Sequence, residues 1–424
     1  MPDALNCQQL SIGAVVNLLL TYRYKLMPRK SQYATLADLC EQQRQLYNAA
    51  LQERIEAWQK SKTSITKLDQ FKSLTKIRSF DETYAGIPVA LSRWSIARVD
   101  DAFKGFFSRV KRGDKAGFPR FRSFHRWRSF GFVEFSGIRL KADRLLFAPF
   151  RNGLKLKMHR QIPEGSDIKS CTFTRNGRHW YVTMAVDVPF EAEHQHPGSV
   201  VGIDVGVEHL LTTSDGLHVE NVRPRRKREK ELRRAQRALA RCRKGSNRRR
   251  KVRERLALIQ RRIANYRSNH LHQVSSMIAK RYAFIAVEKL KVKNMTRSAR
   301  GTVDEPGVNV RPKAGLNRSL LDAAVARLID FISYKAERAG GEMVKENPRD
   351  TSQDCSSCGA RVPKTLAQRV HRCACGAELN RDVNAALNIL QRALTAHGRA
   401  RPPGDANVGH QPVRRLGNTI VEAA

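Results

Sequence analysis

Four cysteines in the last part of the chain have the spacing of a metal site. Cys355 and Cys358 form a C-x₂-C pair, and after fourteen intervening residues Cys373 and Cys375 form a C-x-C pair. Two close cysteine pairs are typical of structural zinc, whose four ligands leave no open position for a substrate. We therefore predict a closed zinc ribbon rather than a catalytic zinc. His371 lies near enough in the sequence to replace Cys373 or Cys375 as a ligand.

Three acidic residues in separate segments could hold a harder metal. Asp204 ends the apolar segment 200–204, Glu288 follows the apolar segment 284–287, and Asp382 opens a predicted helix. Each acid alone means little, because acidic residues are often solvated at strand ends or interact only with a helix dipole. If the three converge, they can hold two Mg²⁺ ions, one activating a water and the other stabilising the leaving 3′-oxygen of a phosphodiester. We predict such a two-metal site.

The elements between these residues must bring the acids together. Gly202 and Gly206 flank Asp204 and leave room for the close approach of another backbone or a substrate. The order of elements can fold as an RNase H-like α/β domain. The predicted elements are strands at 200–204 and 207–213, a charged helical region at 224–279 broken at 245–247, a strand at 284–287, a helix at 317–339, a strand at 343–345 and the helix opened by Asp382.

The chain is very basic. Its 424 residues include 79 Lys and Arg against 39 Asp and Glu, a formal net charge of +40. A folded protein with this imbalance repels itself unless a polyanion neutralises it, and nucleic acid binds such surfaces by releasing counterions. We therefore predict a nucleic-acid partner and no small-molecule substrate. A plain packaging protein would share the charge, but it would leave the acids and the cysteines unexplained.

The other cysteines and the hydropathy indicate the compartment. Cys7, Cys40, Cys171 and Cys242 show no pairing rhythm, which favours a reducing compartment over a disulfide framework. The longest apolar run, 12–20, is too short to span a bilayer and lacks the basic stretch that precedes a signal peptide core. We predict a cytoplasmic, nucleoid-associated protein that has no membrane partner.

The first half of the chain contains two segments with the residue alternation of β-strands and a helical block between them. Residues 20–26 and 179–186 alternate apolar and polar positions, and Asn176-Gly177 is the predicted turn of a hairpin. We predict a small antiparallel barrel closed by the early strand, with the helical block 31–110 inserted into it. One helix face of that block is predicted to be buried, and it is formed by Ile96, Val99, Phe103, Phe106 and Val110.

Arginines and aromatic residues interleave in the segment 117–128. Gly117 and Pro119 break the preceding helix there. Arginines can bind phosphates while aromatic rings stack on bases or pack against the core. A simple basic loop is the alternative. We predict nucleic-acid contacts from Arg120, Arg122, Arg126 and Arg128.

Several of these motifs resemble one known family, the TnpB proteins. These are RNA-guided nucleases of insertion-sequence transposons and relatives of compact type V CRISPR effectors. The resemblance covers about residues 19–390, and its most specific part is C-terminal. The motifs that carry it are VGIDVG (201–206), VEKLKVKNM (287–295), NPRDTSQDCSSCG (347–359) and NRDVNAALNI (380–389), with GFPRFR (117–122) as a weaker match.

The resemblance implies a multidomain α/β fold. It consists of an RNase H-like (RuvC) nuclease domain with a zinc-ribbon insert, and an N-terminal β-barrel (wedge) domain carrying an inserted helical recognition domain. The implied boundaries are an N-terminal extension at 1–18, the wedge at 19–30 and 129–192, the recognition domain at 31–128, the nuclease domain at 198–346 and 377–396, the ribbon at 347–376 and a flexible tail at 397–424.

The resemblance also implies an activity. Such proteins bind a guide RNA from the transposon end, recognise a short motif beside the target and cut both strands of the paired DNA. The nuclease acids would be Asp204, Glu288 and Asp382 with Mg²⁺, the zinc would be structural, and the working form would be a monomer with RNA. One departure is Asn380, which stands where the family commonly has Asp. Its amide still offers a carbonyl oxygen.

Two other functions remain open at this stage. A nuclease-inactive relative could act as an RNA-guided DNA-binding repressor, although such proteins would be expected to lose one or more of the acids. A DNA-strand-transferring transposase could use the same two-metal chemistry. The sequence alone does not decide between them.

Overall fold

The computed structural model describes residues 16–190, 194–365 and 367–399. They fold into two compact units, which are divided after residue 190. Both units combine helices and strands, which confirms the predicted mixed α/β class. Cys7 and most of the predicted extension and tail lie outside the described residues. Within the described part of the chain, no helix is long and apolar enough to cross a membrane.

An antiparallel sheet forms the base of the first unit, with the strand order β2-β6-β7-β1-β5-β4-β3. Its strands are β1 (Val16–Leu26), β2 (Ser129–Phe132), β3 (Ile138–Lys141), β4 (Arg144–Phe147), β5 (Phe150–Lys157), β6 (Asp167–Asn176) and β7 (His179–Phe190). The rings of Phe132 on β2 and Phe147 on β4 lie 5.3 Å apart. The sheet therefore curls around one core like the predicted barrel, although β2 and β3 do not pair with each other among the described strands.

Helices are inserted between β1 and β2, as the sequence predicts. They are α1 (Lys30–Ser61), α2 (Lys67–Phe80), α3 (Glu82–Ala85) and α4 (Val89–Lys111). Thr66 begins α2 with a capping box, in which its side chain accepts from the Asp69 amide while the Asp69 carboxylate accepts from the Thr66 amide. The helices and the sheet share one core.

The predicted apolar face of α4 is buried over only part of its length. Ile96 and Val99 are buried, and Phe103 lies at the margin of the core. Val110 is 52 % exposed. The prediction of a wholly buried face is therefore wrong for the last turns, because the core ends near Phe103 while the helix continues to Lys111.

The second unit contains a mixed sheet with the order β10-β9-β8-β11-β12. Its strands are β8 (Val200–Asp204), β9 (His209–Thr213), β10 (His218–Glu220), β11 (Phe284–Glu288) and β12 (Glu342–Glu346). The three strands β8, β11 and β12 are parallel, and β9 and β10 continue the sheet as antiparallel strands. Five successive buried residues on β11 show that both faces of the central strand are covered.

Helices and a small hairpin surround this sheet. They are α5 (Pro224–Lys227), α6 (Glu229–Arg241), α7 (Asn247–Arg281), α8 (Val292–Met295), α9 (Val310–Ala323), α10 (Val325–Arg338) and α11 (Arg381–Ala396), with the hairpin β13 (Val370–Arg372) and β14 (Glu378–Asn380). The predicted break at 245–247 separates α6 from α7, with Gly245 at φ 86°. The single helix predicted at 317–339 is interrupted at Ala324, which adopts the left-handed conformation at φ 55°.

Candidate active site and cysteine metal site

Two of the three predicted acids end neighbouring parallel strands. Ile203 on β8 is paired with Val287 on β11, so that Asp204 and Glu288, the next residue of each strand, emerge at the same edge of the sheet. Glu288 is only 9 % exposed. Its carboxylate accepts a hydrogen bond of 2.8 Å from the Thr351 hydroxyl. The register of the two strands thus places both carboxyl groups side by side.

The third acid reaches this edge on the first turn of α11. Asn380 begins the helix, and its side-chain oxygen accepts hydrogen bonds from the amides of Asp382 and Val383. The helix packs on β8, where a Cβ at Gly202 would collide with the carbonyl oxygen of Ala386. Gly202 is therefore required for the close approach of the α11 backbone. The sequence predicted room there for either another backbone or a substrate. This contact sets Asp382 beside the ends of β8 and β11.

The electrostatics of the three acids fit a bound cation. Burial raises the pKa of Asp204 well above its usual range, and the carboxylates of Glu288 and Asp382 raise it further. Burial also raises the pKa of Glu288, against the hydrogen bond from Thr351 and the charge of Arg392. Crowded, buried carboxylates ionise readily only beside positive charge. Their oxygen donors suit Mg²⁺.

The four cysteines come together as the spacing predicts. Their sulfur atoms all lie within 4.8 Å of one another. Two of the pairs, Cys355 with Cys375 and Cys358 with Cys373, have Sγ–Sγ distances of 3.7 and 3.5 Å. Tetrahedral zinc with Zn–S bonds of about 2.3 Å separates its sulfur ligands by about 3.8 Å, so this donor set fits Zn²⁺.

Backbone groups prepare one of these thiols for metal binding. Burial alone would raise the pKa of Cys355, but hydrogen bonds from the amides of Cys358 and Ser357, together with those of the His371 and Cys375 side chains, lower the pKa to about 6. The thiolate is the form that binds zinc. His371 is fully buried and its Nδ1 contacts the Lys364 ammonium. It is not a member of the four-sulfur cluster, which contains the C-x-C pair instead.

The ribbon is tied directly to the helix that carries Asp382. Asn384 accepts a hydrogen bond of 3.0 Å from the Ser356 amide and donates one of 2.8 Å to the Asp354 carbonyl. Asn388 donates to the Thr351 and Asp354 carbonyls at 2.8 and 2.7 Å. The cysteine segment is thus held by side chains of α11.

Comparison with known proteins agrees with this geometry. Family models match residues 182–299 (probable transposase), 326–389 (Cas12f1-like, TNB domain) and 18–63 (helix-turn-helix domain). In the last range, the structure contains β1 and the single long helix α1. A protein of Escherichia coli K12, named RNA-guided DNA endonuclease InsQ, is 34 % identical over 299 residues, which cover 70 % of this chain and 72 % of that protein. The chain belongs to the TnpB family.

Further relatives extend the TnpB resemblance over more of the chain. A Streptomyces pristinaespiralis protein named RNA-guided DNA endonuclease is 28 % identical over 387 residues, covering 88 % of this chain and 89 % of that protein. A solved Cas12f1–sgRNA–target DNA complex matches with a TM-score of 0.55 and 16 % identity, covering 85 % of this chain and 83 % of that one. The last similarity concerns the fold alone.

Other residues beside the three acids of this TnpB-family chain were not identified from the sequence. Thr351 is buried and orients Glu288, and it lies inside the NPRDTSQDCSSCG motif, which could have singled it out. His209 begins β9 with its Nδ1 3.9 Å from an Asp382 oxygen. That nitrogen is buried without a hydrogen-bond partner, and the ring lies 4.6 Å from the ring of His218. No pattern in the sequence indicates this pair.

The four arginines predicted to bind nucleic acid lie on an exposed loop of the first unit. The loop is anchored at Arg122, whose backbone amide donates to the Asn48 side chain at 2.8 Å and whose carbonyl accepts from Arg44 and Asn48. Phe121 and Phe124, on either side of the anchor, are 52 % and 54 % exposed. All four arginines are exposed, and none has a carboxylate partner among the described residues.

Proposed function

We propose that this chain is an RNA-guided, Mg²⁺-dependent DNA endonuclease. It uses a transposon-derived guide RNA to cleave double-stranded DNA next to a short adjacent motif. The observation that carries the proposal is the meeting of Asp204, Glu288 and Asp382 at one edge of the sheet, in a chain of the TnpB family. The names of the relatives support the same activity, and the chain shares its fold with the protein of the solved Cas12f1–sgRNA–target DNA complex.

The three acids would hold the metal ions of the reaction. Bound Mg²⁺ supplies a Lewis acid and an activated water for phosphodiester hydrolysis. Around it, Thr351 fixes the Glu288 carboxylate by its hydrogen bond, and Asn380 fixes the first turn of α11 as its cap. Asn380 therefore acts as the cap of α11. A cap needs only a side-chain oxygen that accepts hydrogen bonds, which an amide provides as well as the Asp that the family commonly has there.

The cysteines would hold a structural zinc. Four sulfur ligands fill a tetrahedral site and leave no position for a reacting group. The hydrogen bonds of Asn384 and Asn388 connect this segment to α11, so the ribbon would help to place Asp382. Zinc would thus act on cleavage through the position of the helix.

The domain layout follows the same family pattern. We assign the nuclease domain to 198–346 and 377–396 with the ribbon at 347–376, and the wedge to 19–30 and 129–192 around the helical recognition domain at 31–128. The division after residue 190 and the insertion of α1 to α4 between β1 and β2 support these boundaries.

Two basic surfaces would contact nucleic acid. One is the loop of Arg120, Arg122, Arg126 and Arg128, where Phe121 and Phe124 could stack on bases. The other is a groove of about 750 Å³ between α6 and α7, lined by residues that include Lys227, Arg234 and Arg255. A monomer with its guide RNA, acting in the cytoplasm at nucleoid DNA, is the form that we propose.

One experiment tests the activity directly. The purified protein with its co-purifying RNA is incubated with a plasmid library that carries a target matched to that RNA beside a randomised segment. We expect depletion of plasmids with one adjacent motif by the wild-type complex and no depletion by the Asp204→Ala complex. Binding without depletion by the wild-type complex would instead indicate a guided repressor, and joined DNA products would indicate a transposase.

A further inference from the structure

The sheet of the first unit places two positive charges directly opposite each other. Lys25 on β1 is the register partner of Lys157 on β5. Arg23 lies two residues before Lys25 and therefore on the same face of the sheet. Like charges at directly opposed positions of an antiparallel pair destabilise a sheet. An anion between them would remove this cost.

These three cations have no counter-ion in the described parts of the chain. None of them has a carboxylate oxygen within 4.0 Å there. Two other lysines of the same sheet are balanced. Lys155 on β5 lies 3.7 Å from Asp143, and Lys169 on β6 lies 2.7 Å from Asp167 and 3.5 Å from Asp187.

The unbalanced charges line a small cavity of about 230 Å³. Its lining consists of Arg23, Lys25, Lys157, His159 and Tyr181. The Arg23 guanidinium lies over the Tyr181 ring at 4.4 Å, which restrains its position. A guanidinium held over an aromatic ring by this cation–π contact still has N–H groups that can bind two oxygens of one anion. Cations thus surround this cavity, and one of them is preorganised.

We propose that this cavity is a binding site for a phosphate group of a nucleic-acid backbone. A phosphodiester offers two non-bridging oxygens, which match the guanidinium edge and the two ammonium groups. It also places one negative charge between Lys25 and Lys157. The proposal rests on the proposed function for the identity of the polymer, whereas the cavity itself follows from the register of β1, β5 and β7.

Substitution of single lysines tests the site. Lys157→Thr and Lys25→Thr each keep a residue type that favours strands. We expect each to weaken binding of the co-purifying RNA by about tenfold and to reduce the slope of log affinity against log salt by about 1, as for one lost phosphate contact. The melting temperature of the RNA-free protein should stay the same or rise, because the opposed charges are gone.

Lys155→Thr is the matched control. It removes an exposed lysine of the same strand that already has Asp143 as its partner. We expect its RNA affinity to stay within about twofold of wild type and its melting temperature not to rise. Equal losses of affinity in Lys155→Thr and Lys157→Thr would overturn the proposal, because generic surface charge would then explain both.

Three probes identify the source of the phosphate. They are the co-purifying RNA, a labelled double-stranded DNA of random sequence, and inorganic phosphate in a thermal melt. A selective loss with RNA assigns the guide backbone, and a selective loss with DNA assigns the target backbone. Stabilisation of wild type but not Lys157→Thr by inorganic phosphate supports the site itself, and unchanged binding of all three probes overturns it. Because these assays measure binding, they remain decisive even if the wild-type complex does not cut DNA.

Discussion

The cysteine cluster and the acid cluster of the second unit are both proposed metal sites, but the chain builds them differently. The cysteines lie between residues 355 and 375, and their four sulfurs meet within 4.8 Å. The acids come from β8, β11 and α11 and are separated by as many as 178 positions in the sequence (382 − 204). Within the described residues, the cysteines are the one group of three or more ligands that is gathered so closely.

This difference has a physical consequence. The four cysteines meet within a segment of about twenty residues that side chains of α11 also hold. The three acids meet only if the register of β8 with β11, the cap of α11 and the contact of α11 with β8 all form together. We therefore expect that loss of the cysteine site displaces α11 and with it Asp382. Loss of one of the three acids, by contrast, should leave the cysteine site intact. The following predictions test that expectation.

Removal of an acid should have the largest effect. Asp204→Ala, Glu288→Ala and Asp382→Ala should each reduce guided cleavage by about 10³-fold or more, because several kcal/mol of transition-state stabilisation depend on the bound metal. Single-turnover cleavage and RNA co-purification are the measurements, and RNA binding should persist. Asp304→Ala, at an exposed acid of the same unit, is the control. Undiminished cutting by all three variants would refute the assignment of the site.

Removal of the cysteine ligands should disrupt both clusters. The double variant Cys355→Ser/Cys358→Ser should lose its zinc, destabilise the second unit by about 4 kcal/mol or more, and lose cleavage because α11 is no longer braced. Elemental analysis and thermal melts measure these effects, with Cys242→Ser as control. Asp382→Ala should keep its full zinc content. Zinc loss from that acid variant would show that the dependence runs both ways.

A change at the helix–strand contact should have an intermediate effect. Gly202→Ala places a methyl group against the Ala386 carbonyl and 2.8 Å from the Leu390 Cβ, so α11 must shift. We expect a loss of about 1–3 kcal/mol in stability and a larger relative loss in cleavage than in zinc content. Gly198→Ala is the matched control, because its Cβ would meet no atom within 4 Å. Equal effects of the two changes would exclude the packing explanation.

The smallest effect concerns pH. Burial and the neighbouring acids raise the pKa of Asp204 in the folded chain, so the folded state holds a proton that the unfolded chain releases. Protonation of Asp204 therefore adds to the free energy of unfolding. This contribution is fully present below the ordinary carboxyl pKa of about 4 and is lost as the pH rises through the raised pKa of Asp204 in the folded chain. Asp204→Asn should therefore stabilise the Mg²⁺-free protein by about 0.5–2 kcal/mol near neutral pH. A series of melts without Mg²⁺ should show this advantage growing with pH, and a pH-independent difference would contradict it.

The sequence predicted these two clusters unequally well. The cysteine spacing was sufficient for the four-sulfur cluster, because the ligands are close in the chain. The acids could be placed at strand ends and a helix start, since buried strands have apolar runs and Asp382 precedes an apolar helix face. Their common edge follows from the pairing of β8 with β11, which no local pattern contains.

Other features depend on contacts that a pattern does not show. The exposure of Val110 depends on where the core of the first unit ends, and the break at Ala324 lies inside a continuous apolar periodicity. Thr351 contacts Glu288 and His209 lies near Asp382 only because of tertiary packing. Asn380, noted as a departure from the family, is explained only by its hydrogen bonds to the start of α11.

The packing of α11 also bears on how the protein is made. Phe284, Ala286 and Val344 on the sheet share a small core with Ile389, Leu390, Ala393 and Leu394 of this helix. Residues 381–396 leave the ribosome after every strand of that sheet, so until then a growing chain exposes this apolar face. The same event covers the face and delivers Asp382. A nascent chain would therefore keep one apolar face open to aggregation until the same step of synthesis that completes its set of acids.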